Sequence, residues 1–441
     1  MAILRRMRPS TEDETPRPAT RRGRAASMAR RLVLDLTPLR TSRQFRLLWF
    51  GELISHTGRH ITVVALPWQV WQLTRSPLAV GLIGLIQVVP LMIGSIGGGA
   101  LADAMDRRKL LLITQAALVL TGLLFVWGAL MEDPPLFFLY GVAALNAGLT
   151  AVDAPARASA IPNLVGKDQL ASAMALNQIL FQVSDVVGPA LAGLIIARFG
   201  LVWAYTTDVV TFLATILALV AMRPMPPVRG EGEAVPRGLR SVREGFAYLR
   251  GRRVLQSTFT VDLIAMVFGM PRALFPVLAS TAFHVGPQGL GLLYAAPAAG
   301  ALVGALTTGW VRHVRHQGRA VLWAVALWGA AIVGFGFSTD AFWLGLVFLA
   351  VAGGADVISA IFRSTILQGT VPDSLRGRLS SIHFMVVVGG PRLGDAEAGL
   401  VAQLTWPVFS VVSGGVACLV GVGALALLVP RFRRYHAGEP A

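Results

Sequence analysis

The residues with the clearest chemical potential in this sequence are ionisable side chains inside long apolar segments. Glu52, Asp262 and Asp356 each lie within a segment that is long enough to cross a lipid bilayer. A charge in such a segment costs about 2.5–3.5 kcal/mol on insertion scales, so intramembrane charges are functional candidates by default. A carboxylate in that position can take up a proton and become neutral. The three residues are therefore candidates for proton coupling.

A polar stripe surrounds the first of these carboxylates. His56 and Arg59 follow Glu52 at spacings of four and seven residues, which places all three side chains on one helix face. Glu52 is the first choice for a proton carrier, and the alternative is a structural Glu52–Arg59 pair that never exchanges protons. Arg272 and Tyr294 lie in later apolar segments. With His56 and Arg59, they are candidates for lining a cavity and contacting a small molecule.

The composition places these residues in a membrane protein. Of 441 residues, 54% are hydrophobic and 14% are charged, whereas soluble domains carry about 25% charged residues. The net charge of +16 comes from arginines at the ends of apolar segments, so it indicates membrane topology and excludes a nucleic-acid binder. A phosphate-binding loop and a His-Glu-x-x-His sequence are both absent. We expect no enzyme activity, no cofactor and no metal site.

Twelve apolar segments fit membrane helices, and the fold class predicted is all-α with two six-helix bundles. One side of the membrane receives about 34 of the basic residues and the other about two, Arg75 and Arg198, so the basic side is cytosolic. Both termini then lie in the cytosol and the protein in the cytoplasmic membrane. The predicted spans are 45–73, 77–101, 110–131, 136–156, 170–197, 201–222, 255–280, 287–311, 320–338, 342–362, 377–398 and 405–429.

The spans divide the chain into five parts. We expect a basic disordered tail at 1–42, bundles at 43–222 and 255–430, and a second tail at 431–441. The linker 223–254 is predicted to contain an amphipathic helix that lies on the cytosolic leaflet.

The two bundles are related by an internal repeat. Arg157 matches Arg363 at an offset of about 206 residues, and Gly81 matches Gly291 at an offset of about 210. Parallel six-helix repeats of this kind are typical of transporters that alternate access around a central site.

One loop carries a family signature. The segment after span 2 contains Gly99 and Asp103, followed by Arg107 and Arg108. It resembles the loop between helices 2 and 3 of the major facilitator superfamily, with Ala104 and Asp106 as departures from the usual pattern. The resemblance covers residues 43–430 and implies that this loop is a cytosolic gate. Asp153 and Arg157, four residues apart near the cytosolic end of span 4, are assigned to the same gate or to a salt bridge.

Further segments narrow the resemblance to one branch. Residues 155–166, 272–279 and 291–297 resemble the enterobactin exporter branch and its drug-efflux relatives. Gly188, Pro189 and Gly193 are similar to the kinked helix-5 element of proton-coupled antiporters, and ordinary packing of small residues is the alternative explanation.

Together these features predict a secondary transporter that exports a small amphipathic molecule, a siderophore or drug-like compound, in exchange for protons. We expect a monomer whose partners are cargo, protons and lipid. An importer of the same fold is the alternative in mechanism, and a sodium site is an alternative for coupling. A membrane-embedded enzyme or a receptor is the alternative in class.

Overall fold

The computed structural model describes residues 35–226 and 247–436. Throughout these two ranges the regular structure is helical. The predicted tail lies outside the described residues up to position 34, as do most of the predicted amphipathic linker helix and the last five residues.

The long helices follow one another through short connections. In chain order they are α1 (Arg43–Thr74), α2 (Pro77–Ala104), α3 (Arg107–Leu130), α4 (Leu136–Leu164), α5 (Leu170–Phe199), α6 (Leu201–Val220), α7 (Arg253–Phe268, continued by Phe275–Thr281), α8 (Gly286–Leu306), α9 (Gln317–Gly336), α10 (Phe342–Thr370), α11 (Asp373–Leu404) and α12 (Pro407–Leu428).

Ten helices within the described ranges are long and apolar enough to cross a membrane. The remaining two long helices, α1 and α11, carry more polar sequences because they contain several ionisable residues. The helices of the sequence prediction are found near their expected positions. Several of them are longer, and α4 continues to Leu164 and α10 to Thr370. Arg157 and Arg363 lie one residue beyond the ends of the predicted spans 136–156 and 342–362, and both are helical and buried.

Local capping explains where several helices begin. Ser42 accepts a hydrogen bond from the backbone N–H of Phe45 at the start of α1, and Ser76 does the same for Ala79 at the start of α2. Asp106 caps α3 by accepting from the N–H of Lys109 at 3.0 Å. A side-chain acceptor at this position satisfies one of the free N–H groups of the first helical turn.

The predicted span 255–280 is found as Arg253–Thr281, but its helix breaks between Phe268 and Phe275. Pro271 lies in the break and has no N–H to donate. Trp328 Nε1 donates to the carbonyl oxygen of Gly269 at 2.6 Å, and Asp395 accepts from the N–H of Ala273 at 3.0 Å. These bonds satisfy backbone groups that the break leaves free, as apolar surroundings require.

The helix contacts repeat between the first six helices and the last six. In the first six, α1 packs on α5 and α6, α2 on α4, and α3 on α4 and α6. The matching pairs in the last six are α7 with α11 and α12, α8 with α10, and α9 with α10 and α12. Between the two sets, α2 packs against α11 and α5 against α8.

Matched glycines make matched contacts inside each set. A methyl group added at Gly94 on α2 would lie 2.3 Å from the carbonyl oxygen of Gly148 on α4. One added at Gly304 on α8 would lie 3.0 Å from the Cα of Gly354 on α10. Such close approach of backbones is what small residues permit between membrane helices.

Candidate functional site

A cavity of about 770 Å³ lies between the first six and the last six helices. Its walls are mostly apolar, and they include Leu66, Ile83 and Phe125. The charged residues along them are Arg59, Arg272, Arg392 and Asp395. Three guanidinium groups against one carboxylate make this a cationic cavity with apolar walls.

The cavity is sealed at the end of the molecule where α1 turns into α2, which we call the closed end. Gly81 on α2 meets α11, so an added methyl group would lie 2.4 Å from the carbonyl oxygen of Asp395. Gly193 on α5 meets Gly291 on α8, where an added methyl group would lie 2.9 Å from the Cα of Gly291. At these crossings the backbones of the two halves touch.

Two hydrogen bonds reinforce the closed end. Trp71 Nε1 on α1 donates to Ser280 Oγ on α7 at 2.7 Å. Ser76 Oγ donates to Gln403 Oε1 on α11 at 2.8 Å. Both bonds join the first six helices to the last six.

The opposite end, where α2 turns into α3, is the open end. Space surrounds Gly97, Gly99 and Gly309, since a methyl group added at any of the three would have no neighbour within 4 Å among the described residues. The cavity reaches toward this end along Ser95 and Ala158.

The break in α7 and the helix α11 position the polar groups of the cavity. Arg272 lies in the short 3₁₀ turn Arg272–Leu274 inside the break, and the Tyr294 hydroxyl donates to its carbonyl oxygen at 3.2 Å. Arg392 on α11 donates to Gln87 Oε1 on α2 at 2.7 Å. Its Nε has no hydrogen-bond partner within the described part of the chain. Arg392 therefore retains donor capacity for a bound molecule.

A buried arginine centre lies in the first six helices, beside the cavity. Arg157 forms an ion pair with Asp153, one turn earlier on α4. Asp153 also accepts hydrogen bonds from Thr114 at 2.7 Å and from Gln115 at 3.0 Å. Glu52, only 4% exposed, interacts electrostatically with Arg157, Asp153 and Arg59. Glu52 and Arg59, two members of the predicted polar stripe on α1, thus interact with the charges of α4.

The last six helices contain a corresponding centre. Arg363 on α10 forms an ion pair with Asp262 on α7, and its Nη2 lies 3.9 Å from Asp356 Oδ1. Glu52 corresponds to Asp262 at the 210-residue offset of the repeat. Asp262 Oδ2, Asp356 Oδ1 and Ser359 Oγ are buried without a hydrogen-bond partner in the ranges 35–226 and 247–436. The carboxylates of this second centre are therefore less fully hydrogen-bonded than Asp153 in the first.

A third polar group joins α1 to α5. His60 Nε2 lies 2.7 Å from Asp185 Oδ1, and His56 Nε2 lies 3.7 Å from the same oxygen. Gly188, one turn after Asp185, permits this contact, since an added methyl group would lie 2.5 Å from His60 Cβ. His56 therefore points to Asp185 on α5.

The loop after α2 anchors its own half of the molecule. Arg108 donates from Nε to the carbonyl oxygen of Leu219 and from Nη2 to that of Val220, both at 2.7 Å. These acceptors are at the end of α6, where carbonyl groups lack helical partners. Arg107 is 8% exposed, and its backbone N–H donates to Met225. In this conformation both arginines contact the first six helices and the segment that follows them.

A model of the family described as transmembrane secretion effector matches residues 34–439, nearly the whole chain. The chain belongs to this family of major facilitator transporters. It is a multi-pass membrane transporter and not an enzyme, as the sequence predicted.

Curated relatives of this transporter match over almost their full length. The enterobactin exporter EntS of Citrobacter koseri is 29% identical over 409 residues, which cover 92% of this chain and 97% of the relative. The enterobactin exporter EntS of Shigella boydii serotype 18 is 28% identical over 410 residues, with the same coverage. The predicted resemblance to the enterobactin exporter branch is confirmed.

Solved transporters share the fold at low sequence identity. The nucleoside transporter NupG superposes with a TM-score of 0.69 at 13% identity, covering 88% of this chain and 98% of that one. A bacterial homologue of the iron transporter ferroportin, in an inward-facing state, gives a TM-score of 0.65 at 15% identity, covering 89% and 98%. The likeness supports the major facilitator fold for this transporter.

The structure distributes the predicted site residues among several places. Arg59, Arg272 and Tyr294 line the cavity of the transporter, whereas His56 lies in the group with Asp185. Gly188 contacts α1, and Gly193 contacts α8. Sequence reasoning missed Arg392 as a cavity residue and His60 as the partner of Asp185. Their signals were available, since Arg392 is an arginine inside a predicted span and His60 follows His56 by four residues.

Proposed function

We propose that this transporter exports a small, amphipathic, oxygen-rich molecule of the siderophore type across the cytoplasmic membrane by alternating access. The observation that carries the proposal is the cavity between the two six-helix sets, sealed at one end by glycine crossings and open at the other. The match of this chain to enterobactin exporters, over 92% of its length, supports efflux as the direction of transport.

The walls of the cavity favour a particular cargo chemistry. Arg59, Arg272 and Arg392 supply charged donors, and guanidinium groups bind carboxylate and other anionic oxygens well. The apolar wall around Phe125 accommodates rings or alkyl chains. A molecule with anionic or hydrogen-bond-accepting oxygens on an aromatic body fits both features.

The proposed architecture has twelve spans, with α1 and α11 as the two polar ones. The repeated helix contacts support two six-helix bundles at 43–222 and 255–430, joined by the linker 223–254. We infer from the charge asymmetry of the sequence that the open end and both termini lie in the cytosol. This conformation is then ready to load cargo from inside, and a ferroportin homologue with the same fold is described as inward-facing.

Closing the open end completes the proposed cycle. In that step the loop of Gly99, Asp103, Arg107 and Arg108 meets the other bundle, and the two bundles rock about the cavity. We expect Asp103→Asn to slow transport while the protein still inserts in the membrane.

Protons are the proposed coupling ion. Asp262 and Asp356 both face Arg363, so one carboxylate can be protonated while the other still balances the guanidinium. Glu52 has the same relation to Asp153 and Arg157 in the first bundle. In each bundle, protonation changes the charge of a buried centre beside the cavity.

Flux into inverted membrane vesicles tests the proposal. A catecholate siderophore is added outside the vesicles, with and without an imposed pH gradient in which the vesicle interior is acidic. Purified protein in proteoliposomes is the second system. Gradient-dependent uptake into inverted vesicles supports proton-coupled export, and flux in the opposite direction would identify an importer. Turnover of the compound without vectorial movement would contradict transport.

A pair of matched variants tests the coupling residues. Asp262→Asn should abolish gradient-driven accumulation while exchange of cargo across the membrane persists, because the cavity itself is unchanged. Asp133→Asn, an exposed carboxylate in the α3–α4 turn, is the control. Equal accumulation by both variants would rule out Asp262 as a coupling residue.

A further inference from the structure

The group formed by His56, His60 and Asp185 consists of metal-ligand side chains. Their ligand atoms all lie within 4.8 Å of one another. Imidazole nitrogens suit zinc, copper, nickel and iron, and a carboxylate completes ligand sets for several of these ions. The His56–His60 spacing of four residues puts both rings on one face of α1, and α5 brings the carboxylate to that face.

Distances within the group agree with a bound ion. Tetrahedral zinc, with bonds of about 2.0–2.2 Å, places neighbouring ligand atoms about 3.3–3.6 Å apart. The two imidazole-to-carboxylate distances, 2.7 Å and 3.7 Å, fall on either side of that range.

Hydrogen bonding leaves the group incompletely satisfied. Both Nε2 atoms approach one oxygen of Asp185, and only His60 is within hydrogen-bond distance. His56 Nδ1 is buried without a partner in the described residues. A cation held by the two Nε2 atoms and the carboxylate would engage all three side chains.

The group is accessible and its charge is compatible with a cation. His60 lines the cavity, so an ion can reach the group from there. The side chains of His56 and Asp185 are 14% and 37% exposed. Arg59 interacts electrostatically with His56 and opposes a cation, and the Asp185 carboxylate supplies the compensating charge within the site.

The geometry points to a binding site for a divalent first-row transition-metal ion, held by His56, His60 and Asp185. Three protein ligands leave one position of a tetrahedral ion for water or for an oxygen donor of a bound chelating molecule. This assignment depends on the arrangement of the three side chains and is independent of the transport direction.

Metal binding to the purified, tag-free full-length protein tests the site. After dialysis against a chelator, Zn²⁺ is added and the zinc that remains after gel filtration is counted. A second histidine pair must be removed first, because His316 Nε2 and His436 Nε2 lie 3.1 Å apart on the surface. The reference protein is therefore His316→Ala/His436→Ala, which leaves the proposed site intact.

We expect about one Zn²⁺ per chain in the reference protein, and a loss of about 100-fold or more in affinity in His60→Gln and Asp185→Asn, given that even indirect metal contacts are worth 10–100-fold. Co²⁺ should give the visible absorption of a tetrahedral ion in the reference protein. This readout needs no variant of the site, so it stands even if one fails to fold.

Three results would overturn the assignment. They are no zinc retained by the reference protein, unchanged affinity in both variants, or a Co²⁺ spectrum of an octahedral aqua ion. If zinc is absent while Asp185→Asn still stops transport, the group is a hydrogen-bonded proton site. The zinc and Co²⁺ readouts do not depend on the proposed cargo, so failure of the metal site and failure of the export proposal are separate outcomes.

Discussion

The two ends of the interface between the helix sets use the same residue type in opposite ways. At the closed end, the repeat partners Gly81 and Gly291 both touch a backbone of the other half. At the open end, the repeat partners Gly99 and Gly309 both have free space around them. Each end therefore carries a symmetric pair of glycines, and only one pair is in contact.

This difference between the two ends suggests how the same interface closes at one end or at the other. A glycine lets two helices approach at backbone distance, and any larger side chain prevents that approach. We expect the open-end glycines to make the contacts of the opposite conformation, in which the closed end separates. Substitutions at the two ends should then shift the population of conformations in opposite directions.

The largest effect is expected from Gly193→Val. The added side chain meets backbone atoms of Pro287 and Gly291 that cannot move aside, and overpacking of this kind costs about 1–3 kcal/mol. At 1.4 kcal/mol per factor of ten, the closed end should open about five- to 140-fold more often. Double electron–electron resonance measures this population from the distance between two spin labels. The labels are attached at Arg198→Cys on α5 and Thr281→Cys on α7, in a Cys418→Ala background.

Gly141→Val is the matched control for that substitution. Gly141 is an exposed glycine on α4, and a methyl group added there would have no neighbour within 4 Å among the described residues. Its label distances should equal those of the parent protein. If Gly193→Val gives the same distances as Gly141→Val, the crossing does not hold the closed end.

The repeat that underlies this comparison could be predicted from the sequence. Apolar segments and glycines at equal spacing can be recognised even when the contacts between helices are unknown. The same holds for the helices, whose lengths follow from the bilayer thickness. The break in α7 was not predicted. It depends on Trp328 and Asp395, which are distant in sequence and satisfy the backbone that Pro271 interrupts.

The sequence also did not predict which helices bring partners to the polar residues of α1. His56 and Arg59 were predicted on the face of α1 that carries Glu52, but the partner helix on each side of that face was unknown. Helix α5 brings Asp185 to His56 and His60, and α4 brings Asp153 and Arg157 near Glu52. The rotation of each helix about its axis relative to its neighbours determines these partners. Residue spacing along a single helix does not reveal that rotation.

At the open end we expect an opposite and smaller effect from Gly99→Val. The side chain has space in the present conformation, so the labelled distance at the closed end should stay at its short value. Transport should slow about tenfold, because the conformation closed at the other end becomes overpacked. A normal transport rate would show that Gly99 does not enter a contact during the cycle.

Trp71→Phe should weaken the closed end by less. It removes the 2.7 Å hydrogen bond from the indole N–H to Ser280 Oγ and keeps an aromatic ring. A hydrogen bond of this kind contributes about 0.5–1.5 kcal/mol, so we expect a shift of a few-fold toward the separated closed end. The same spin-label pair measures it, with Trp343→Phe, an exposed tryptophan on α10, as the control.

Ser76→Ala should have the smallest effect of the series. Its bond to Gln403 is exposed to solvent, so water replaces the lost partner and the net contribution is small. Ser76 also caps α2, and loss of a cap costs about 0.5–2 kcal/mol in helix stability. Ser42→Ala, the cap of α1 away from this interface, removes a matched cap. Both variants should lower the melting temperature by similar amounts and leave the label distances nearly unchanged. A population shift in Ser76→Ala as large as that in Trp71→Phe would mean that the rim of the closed end, and not its buried crossings, holds the two halves together.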